Sequence, residues 1–228
     1  MAPWLTVDRA PVDDGGELTL SARGDEYAIR LDGQELMSSD SHDSEEKLAV
    51  HGCAGLREVP GARVLIGGLG MGYTARAAFG QLADDAEVEV AELIGAVVRW
   101  NRDVIGHLAG SPLLDPRLRV IEGDVVEVIE RARNRYDAIL LDVDNGPQAF
   151  TWRENKRLYT LPGLVAAKAA LRPNGILAVW SAFESPAFTG RLRAAGFDVK
   201  VVRVFVPGYS GGRHALWIAR SRVRSAHA

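Results

Sequence analysis

RVLIGGLGMG, at residues 63–72, is the stretch that decides the fold of this chain. An apolar run leads into a glycine-rich turn, and a helix-like segment follows at residues 73–81. A strand, a turn and a helix in this order can cradle a nucleotide, because Gly68, Gly70 and Gly72 let the backbone approach a ligand and adopt positive φ. The helix presents unpaired N–H groups and a partial positive charge. The stretch predicts a nucleoside site, and a glycine turn required only for packing is the alternative.

A carboxylate lies at the spacing from this turn that nucleoside binding requires. Glu92 comes twenty residues after Gly72 and ends the strand-like run at residues 88–91. In Rossmann-type units an acid about 20 residues beyond the turn accepts hydrogen bonds from the ribose hydroxyls. No Gly-Lys-Ser or Gly-Lys-Thr follows the turn, which excludes a P-loop.

Apolar runs and helix-like segments alternate through the rest of the chain. This pattern predicts an α/β fold whose parallel sheet is covered by helices on both faces. Strands are expected at residues 64–66, 87–91, 118–121, 138–141, 176–180, 198–204 and 214–220, and helices at 45–56, 73–82, 96–108, 125–132, 162–170 and 187–194. The last two strands are joined by a short Gly/Pro-rich stretch, so they must be antiparallel to each other.

The N-terminal segment has a different period. Alternating residues at 17–21, 27–31 and 34–37, separated by turn signals, predict a small antiparallel β-meander. Residues 1 to about 14 are rich in Pro and Asp and are expected to be loose or bound to a partner. The predicted division is a meander region at residues 1–44 and a Rossmann-like domain at 45–228.

Acidic side chains follow three successive strands of the predicted sheet. They are Glu92, Asp124 and the pair Asp142 and Asp144. Ligands of an open α/β sheet bind outside the carboxyl ends of the strands, so these acids are expected to share one crevice. Glu92 would bind the ribose and Asp124 an adenine amino group, although Asp124 could equally be only a helix N-cap. Asp142 would lie near the reacting centre, where it attracts a cation or acts as general base.

Composition excludes several classes of function. The chain has 228 residues and a net charge of -3, which gives no electrostatic argument for nucleic acid or an anionic membrane as partner. The five histidines show no metal-binding spacing, so no metal is expected. The single cysteine, Cys53, fits a reducing compartment. With no signal peptide and no apolar run of about 18 residues, we expect a soluble cytoplasmic protein that acts on a small molecule.

Several of these motifs together resemble the spermidine synthase (polyamine aminopropyltransferase) family. The resemblance runs from Arg63 to Arg220, and more loosely from Glu17. The matching motifs are the glycine turn, Glu92, Asp115-Pro116-Arg117, Gly123-Asp124, Tyr136-Asp137 leading into Asp142, and LRPNGIL at residues 171–177.

The resemblance has consequences for both fold and chemistry. It implies a small N-terminal β-meander before a Rossmann-like, seven-stranded sheet of the class I methyltransferase type with its last strand antiparallel. It also implies an adenosyl-sulfonium co-substrate, with Glu92 at the ribose, Asp124 at the adenine, Asp142 as the general base, and a homodimer.

The donor side departs from the family pattern at one position. Gly70 stands where the family turn, Gly-Gly-Gly-Asp-Gly-Gly, has its Asp. In the family that carboxylate disfavours a donor that carries its own carboxylate. Its absence makes S-adenosylmethionine acceptable beside the decarboxylated form, and it slightly favours methyl over aminopropyl transfer.

The acceptor side departs further. The family's Tyr-His-Glu corresponds here to Ser44-Glu45-Glu46, and its Asp-Ser-Ser-Asp-Pro to residues 142–146, which place Asn145 at the second Asp. Tyr209 corresponds loosely to a late family tyrosine. Glu45, Glu46, Asn145 and Tyr209 are therefore the acceptor-side candidates, and Asp142 and Asp144 the catalytic ones.

Three functions agree with these residues. The first is a transferase that alkylates a small cationic or amine acceptor from a sulfonium donor. The second is a non-catalytic protein that binds an adenosyl nucleoside. The third, an NAD-dependent oxidoreductase, is disfavoured because the row of acids would repel a pyrophosphate.

Overall fold

The computed structural model describes residues 2–12, 15–143, 155–205 and 213–222. Within these ranges the chain forms two β-sheets with helices packed around the larger one. The strands are β1 Leu5–Pro11, β2 Glu17–Arg23, β3 Glu26–Leu31, β4 Gln34–Ser38, β5 Arg63–Gly67, β6 Glu87–Glu92, β7 Leu118–Glu122, β8 Tyr136–Leu141, β9 Leu171–Ser181, β10 Phe197–Phe205 and β11 Arg213–Ser221. The α-helices are α1 Asp43–Gly52, α2 Tyr73–Phe79, α3 Gly95–Asp103, α4 Val125–Arg131, α5 Leu161–Ala170 and α6 Pro186–Ala194.

The larger sheet has seven strands in the order β10-β11-β9-β8-β5-β6-β7. Strands β5 to β9 pair in parallel, whereas β11 runs antiparallel to both β9 and β10. The α/β class and the antiparallel last strand are therefore confirmed. The chain passes from β5 to β6 and β7 on one side and returns to β8 on the other, so a crevice forms beyond the carboxyl ends of these strands.

Both faces of the sheet are buried, as the continuous apolar strands require. In β5, Val64 and Ile66 pack into one hydrophobic core with α1, α2 and α3. Leu65 points to the opposite face and packs with α4, α5 and α6. Because successive side chains of a strand point to opposite faces, a strand buried on both faces shows no polar alternation.

The smaller sheet lies against the first of these cores. It is antiparallel, in the order β1-β2-β3-β4, and it contributes the buried side chains of Leu18, Leu20 and Ile29 to the same apolar cluster as Val64. Helix α1 packs closely on the large sheet, where a Cβ atom on Gly52 would collide with Leu140. The division of the chain at residue 44 stays a prediction.

The expectation that residues 1–14 are loose was wrong for residues 5–11. This segment forms β1, which pairs with β2 from Leu5 opposite Ala22 to Pro11 opposite Glu17. Its alternation of Leu5 and Val7 with polar residues stops at Asp8-Arg9 and most of its side chains are exposed, so the local pattern is only a weak signal for a strand. It is held by main-chain pairing, and by the indole of Trp100, which donates a hydrogen bond of 2.6 Å to Asp8.

Helix ends were the other source of error. The helix expected at residues 96–108 ends at Asp103, because the N–H groups of Val104 and Ile105 both donate to the carbonyl of Trp100, at 2.9 and 2.8 Å. A short 3-10 helix, Gly106–Ala109, then follows. The helix expected at 45–56 ends at Gly52 and the one expected at 73–82 ends at Phe79.

Candidate active site

The carboxyl ends of β5, β6, β7 and β8 surround one open cavity. Its lining includes Gly68 and Gly70 after β5, Glu92 at the end of β6, Asp124 after β7 and Asp142 after β8. The strand order brings these residues together although they are spread over 75 positions of the sequence, from 68 to 142. The two sheets both contribute, since β2, β3 and β4 cover the cavity with apolar side chains.

The turn after β5 can be made only by glycine at two of its positions. Gly68 has φ +87°, and a Cβ atom there would collide with the carbonyl oxygen of Asp142. Gly72 also has φ +87°, and a Cβ atom there would lie 2.7 Å from Cγ of Pro112. Gly72 is the N-cap of α2 and is not part of the cavity lining, so its role is in packing.

Glu92 is buried and holds the turn in place. Its side chain is 7% exposed, and its two carboxylate oxygens accept hydrogen bonds from the backbone N–H groups of Leu69, at 2.8 Å, and Ile94, at 2.9 Å. Burial raises the pKa of Glu92, while these backbone donors act in the opposite direction. The backbone N–H groups of Gly70 and Leu93 also act on this carboxylate and lower its pKa, and Glu92 lines the cavity.

Asp124 is the N-cap of α4, which is one of the two roles expected for it from the sequence. Its Oδ1 accepts a hydrogen bond of 2.7 Å from the backbone N–H of Val126 at the start of α4. The side chain also lines the cavity. The two interpretations are therefore compatible, because a carboxylate can cap a helix with one oxygen and accept from a ligand with the other.

Asp142 follows β8 and lies directly beside the glycine turn. The hydroxyl of Thr74, in the first turn of α2, donates a hydrogen bond of 2.5 Å to Asp142 Oδ2. The backbone N–H of Asp142 donates to the carbonyl of Gly67 at 2.9 Å, which fixes the residue to the end of β5. Burial raises the pKa of Asp142, and the hydrogen bond from Thr74 opposes this effect.

Comparison with known proteins identifies the family. The family model described as the spermine/spermidine synthase domain matches residues 52–221. The chain belongs to the spermine/spermidine synthase family. The chain is 32% identical over 166 residues to polyamine aminopropyltransferase 1 of Hyperthermus butylicus. The aligned region covers 70% of this chain and 54% of that protein. It is 27% identical over 117 residues to the polyamine aminopropyltransferase of Prochlorococcus marinus, covering 47% of this chain and 41% of that protein. The chain thus spans about half the length of these curated relatives.

Solved structures of the family have the same fold. The spermidine synthase of Thermotoga maritima superposes with a TM-score of 0.74 at 20% identity, covering 94% of this chain and 72% of that one. A spermidine synthase in complex with the transition-state analogue AdoDATO gives a TM-score of 0.72, also at 20% identity, with coverage of 94% and 72%. These likenesses confirm the methyltransferase-like architecture with its small N-terminal sheet.

Glu45, one of the acceptor-side candidates, lines the cavity from the first turn of α1. The hydroxyl of Ser44 donates a hydrogen bond of 2.5 Å to Glu45 Oε2. Burial raises the pKa of Glu45, and the negative charge of Asp142 raises it further. The two carboxyl groups therefore titrate as a pair, in which the first proton is held more tightly than on an isolated carboxylate.

The other acceptor-side candidates are not brought into the described cavity. Glu46 does not line the cavity, which corrects its expected place on the acceptor side. Its carboxylate lies 3.0 Å from Nδ1 of His42 and 3.9 Å from the guanidinium of Arg76. Neighbouring residues of a helix point about 100° apart, and here Glu45 faces the cavity while Glu46 faces His42 and Arg76. Asp144, Asn145 and Tyr209 lie outside the described residues.

Sequence reasoning missed three side chains at the cavity. Thr74 contacts Asp142, Met37 of β4 lies against the turn, and Trp180 of β9 forms part of the wall. A Cβ atom on Gly70 would lie 3.2 Å from Sδ of Met37, so the thioether faces the position at which the family pattern has Asp. Nothing in the sequence marks these contacts, because they join segments distant along the chain.

Among the residues that the structure describes, no three His, Cys, Asp or Glu side chains form a group suited to a metal ion. Within the same ranges, no helix is long and apolar enough to cross a membrane.

Proposed function

We propose that this protein transfers the aminopropyl group of decarboxylated S-adenosylmethionine to a small primary amine. The observation that carries the proposal is the convergence of Gly68, Glu92, Asp124 and Asp142 on one cavity in a chain of this family. The names of the curated relatives, polyamine aminopropyltransferases, support this transfer. The structural neighbour solved with AdoDATO adds support for an adenosyl donor.

The donor half of the cavity would hold the adenosyl group. Glu92 lines the cavity at the end of β6, and its carboxylate would accept hydrogen bonds from the ribose hydroxyls. Asp124 accepts from the adenine amino group with the oxygen that does not cap α4. The close approach of the backbone at Gly68 leaves room for the nucleoside beside the turn.

The acceptor half would bind and deprotonate the amine. An amine in water is an ammonium ion, which the carboxylates of Asp142 and Glu45 attract. Their raised pKa values make them better proton acceptors than an exposed Asp or Glu. Once deprotonated, the nitrogen attacks the carbon next to the sulfonium, the C–S bond breaks, and methylthioadenosine leaves. Alignment of the two reactants in a water-poor cavity supplies much of the acceleration.

Methyl transfer from S-adenosylmethionine is the second candidate, and Gly70 favours it. Position 70 carries no carboxylate, and the neutral thioether of Met37 lies beside it. A donor with its own carboxylate would therefore meet no like charge at this position. The relatives do not support this candidate, since the two curated proteins described above are named for aminopropyl transfer.

One product analysis separates these functions. The purified protein is incubated with either donor and a panel of linear diamines of three to five carbons, and the products are measured by mass spectrometry. We expect methylthioadenosine and an aminopropylated diamine in equal amounts from decarboxylated S-adenosylmethionine. S-adenosylhomocysteine from the other donor would support methyl transfer. Tight donor binding without either product would identify a binding protein, and NAD binding with hydride transfer would identify an oxidoreductase.

Asp142→Asn is the matched control for this assay. The amide keeps the shape of the side chain and can still accept the hydrogen bond from Thr74. We expect turnover to be lost while donor binding changes by less than about tenfold. A parallel loss of donor binding would instead place Asp142 in the nucleoside site.

A further inference from the structure

The hydroxyl of Ser44 connects the cavity to a histidine on the last strand. Ser44 is buried at the start of α1, with 4% of its surface exposed. Its Oγ is 2.5 Å from Oε2 of Glu45, 2.9 Å from Nε1 of Trp180 and 2.9 Å from Nδ1 of His214. Glu45 and Trp180 line the cavity, whereas His214 lies behind Trp180 with its ring packed edge-on against the indole, 4.7 Å between centroids.

The number of hydrogen bonds that one hydroxyl can make restricts this cluster. A serine hydroxyl has one proton to donate and two lone pairs to accept with, and an indole N–H can only donate. Trp180 therefore always occupies one lone pair of Ser44. One proton and one lone pair are left for Glu45 and His214, so one of these partners must accept from Ser44 while the other donates to it.

Only two arrangements satisfy all three contacts. In the first, Glu45 is ionised and accepts from Ser44, while His214 carries a proton on Nδ1 and donates. In the second, Glu45 is protonated and donates, while Ser44 donates to a bare Nδ1 and His214 carries its proton on Nε2. Passing from the second to the first moves a proton from Glu45 to Ser44 and from Ser44 to Nδ1 of His214, which can then release a proton from Nε2.

We propose that Ser44 relays protons between Glu45 and His214, so that the tautomer of His214 follows the protonation state of Glu45. The contribution of this relay to catalysis rests on the proposed function: the proton that leaves the acceptor amine would pass from Glu45 to His214 and clear the cavity for the next turnover. The coupling between Glu45 and His214 does not depend on the reaction.

The charged groups around the cluster favour such an exchange. Glu45 is faced by the carboxyl of Asp142 from the end of β8, by His42 from the residue before α1 and by the phenol of Tyr73 from α2. Burial and Asp142 raise the pKa of Glu45, whereas burial lowers the pKa of His214. The pKa of Glu45 reaches about 7 while that of His214 falls below its usual 6.5, so His214 no longer binds a proton more tightly than Glu45 does, and a proton can pass between them.

Nitrogen-15 NMR of the histidine side chains tests the coupling directly, since it distinguishes a proton on Nδ1 from one on Nε2. The signals of His214 are assigned by their loss in His214→Gln. In the unsubstituted protein we expect Nδ1–H when Glu45 is ionised and Nε2–H after Glu45 takes up its proton as the pH falls. An unchanged tautomer throughout this titration would overturn the proposal.

Two adjacent substitutions give a matched pair. In Glu45→Ala, Ser44 has only Nδ1 of His214 left to donate to, so we expect Nε2–H even at high pH. In Glu46→Ala, which removes a carboxylate outside the cavity lining, we expect the behaviour of the unsubstituted protein. Nδ1–H in Glu45→Ala at high pH would contradict the relay. Both substitutions introduce a strong helix former on a partly buried site, so both variants are expected to fold.

A kinetic comparison tests the contribution to turnover. Ser44→Ala removes the relay without touching the donor half of the cavity, so we expect kcat to fall by about tenfold or more while KM for the donor stays within twofold. An unchanged kcat at every pH would exclude the relay from catalysis. The NMR coupling without any transfer by the unsubstituted protein would refute the proposed function and leave the relay intact.

Discussion

Asp124 has an observed contact and a proposed one, which a single substitution can separate. In the structure its Oδ1 caps α4 through the N–H of Val126 at 2.7 Å, and the proposed function assigns its other oxygen to the adenine amino group. In Asp124→Asn the amide oxygen can keep the cap, since Asn and Asp are about equally good N-caps. The amide NH₂ then faces the cavity, where it meets the adenine amino group donor to donor.

The expected magnitudes differ for stability and for binding. Loss of the negative charge at the N-terminus of α4 costs about 0.3–1 kcal/mol of folding free energy. Loss of a hydrogen bond to a charged acceptor costs about 1.5–3 kcal/mol of binding free energy, which is roughly a tenfold to hundredfold weaker affinity. In Asp124→Ala the cap is lost as well, so we expect a further decrease of about 1 kcal/mol in folding free energy.

Calorimetry with two nucleosides makes the test specific. Methylthioadenosine presents an amino group at the position where methylthioinosine presents a carbonyl oxygen. We expect Asp124→Asn to bind methylthioadenosine more weakly than the unsubstituted protein does, and to bind methylthioinosine better. Urea unfolding of both variants gives the stability effect separately. An affinity for methylthioadenosine within twofold of the original, with no gain for methylthioinosine, would show that Asp124 is only a helix cap.

Three further predictions concern the same cavity. Burial raises the pKa of Asp142 in the folded state, so its carboxyl destabilises the fold as the pH rises above the pKa of the unfolded chain. Asp142→Asn should therefore raise the free energy of unfolding at pH 8, by about 1.4 kcal/mol for each pKa unit of the shift, and should have little effect near pH 4. Urea unfolding at the two pH values measures this difference, and an equal effect at both would contradict it. Gly68→Ala should lower the free energy of unfolding by about 2–4 kcal/mol, because residue 68 has positive φ and the added Cβ atom would collide with the Asp142 carbonyl. The control Gly24→Ala has φ +62° but open space around it, so it should lose only about 1–2 kcal/mol. Equal losses in urea unfolding would refute the packing argument. Gly70→Asp should shift the ratio of affinities by about tenfold toward decarboxylated S-adenosylmethionine in calorimetry with both donors, and an unchanged ratio would remove the argument from charge at this position.

The sequence predicted those parts of the molecule that depend on local pattern. The glycine turn, the buried strands and the acids at the strand ends each have a local signal, and the rule that parallel strands end at one edge places them together. Strand β1 has only a weak signal of this kind, since it is mostly exposed and depends on pairing with β2. The motif Asp115-Pro116-Arg117 was recognised in the sequence, but its structural role was not. In the structure Asp115 binds Arg117 through both carboxylate oxygens, at 2.9 and 2.7 Å, and thereby shapes the approach to β7.

The acceptor side was only partly predictable for a different reason. Glu45 was identified through the family pattern, but Glu46 could be separated from it only by knowing which face of α1 meets the cavity. The contacts of Ser44 join residues that are 136 and 170 positions apart, to Trp180 and His214. Long-range pairs of this kind follow from the packing of α1 across β9 and β11, which no local pattern specifies.

A crystal structure with methylthioadenosine is the most direct measurement of where the donor binds. The convergence of the strand ends predicts one nucleoside in this cavity, with its ribose hydroxyls within hydrogen-bond distance of Glu92, its amino group at Asp124 and its sulfur on the side of Asp142. A nucleoside bound elsewhere on the protein, or oriented with its ribose away from Glu92, would contradict the assignment of this cavity as the active site.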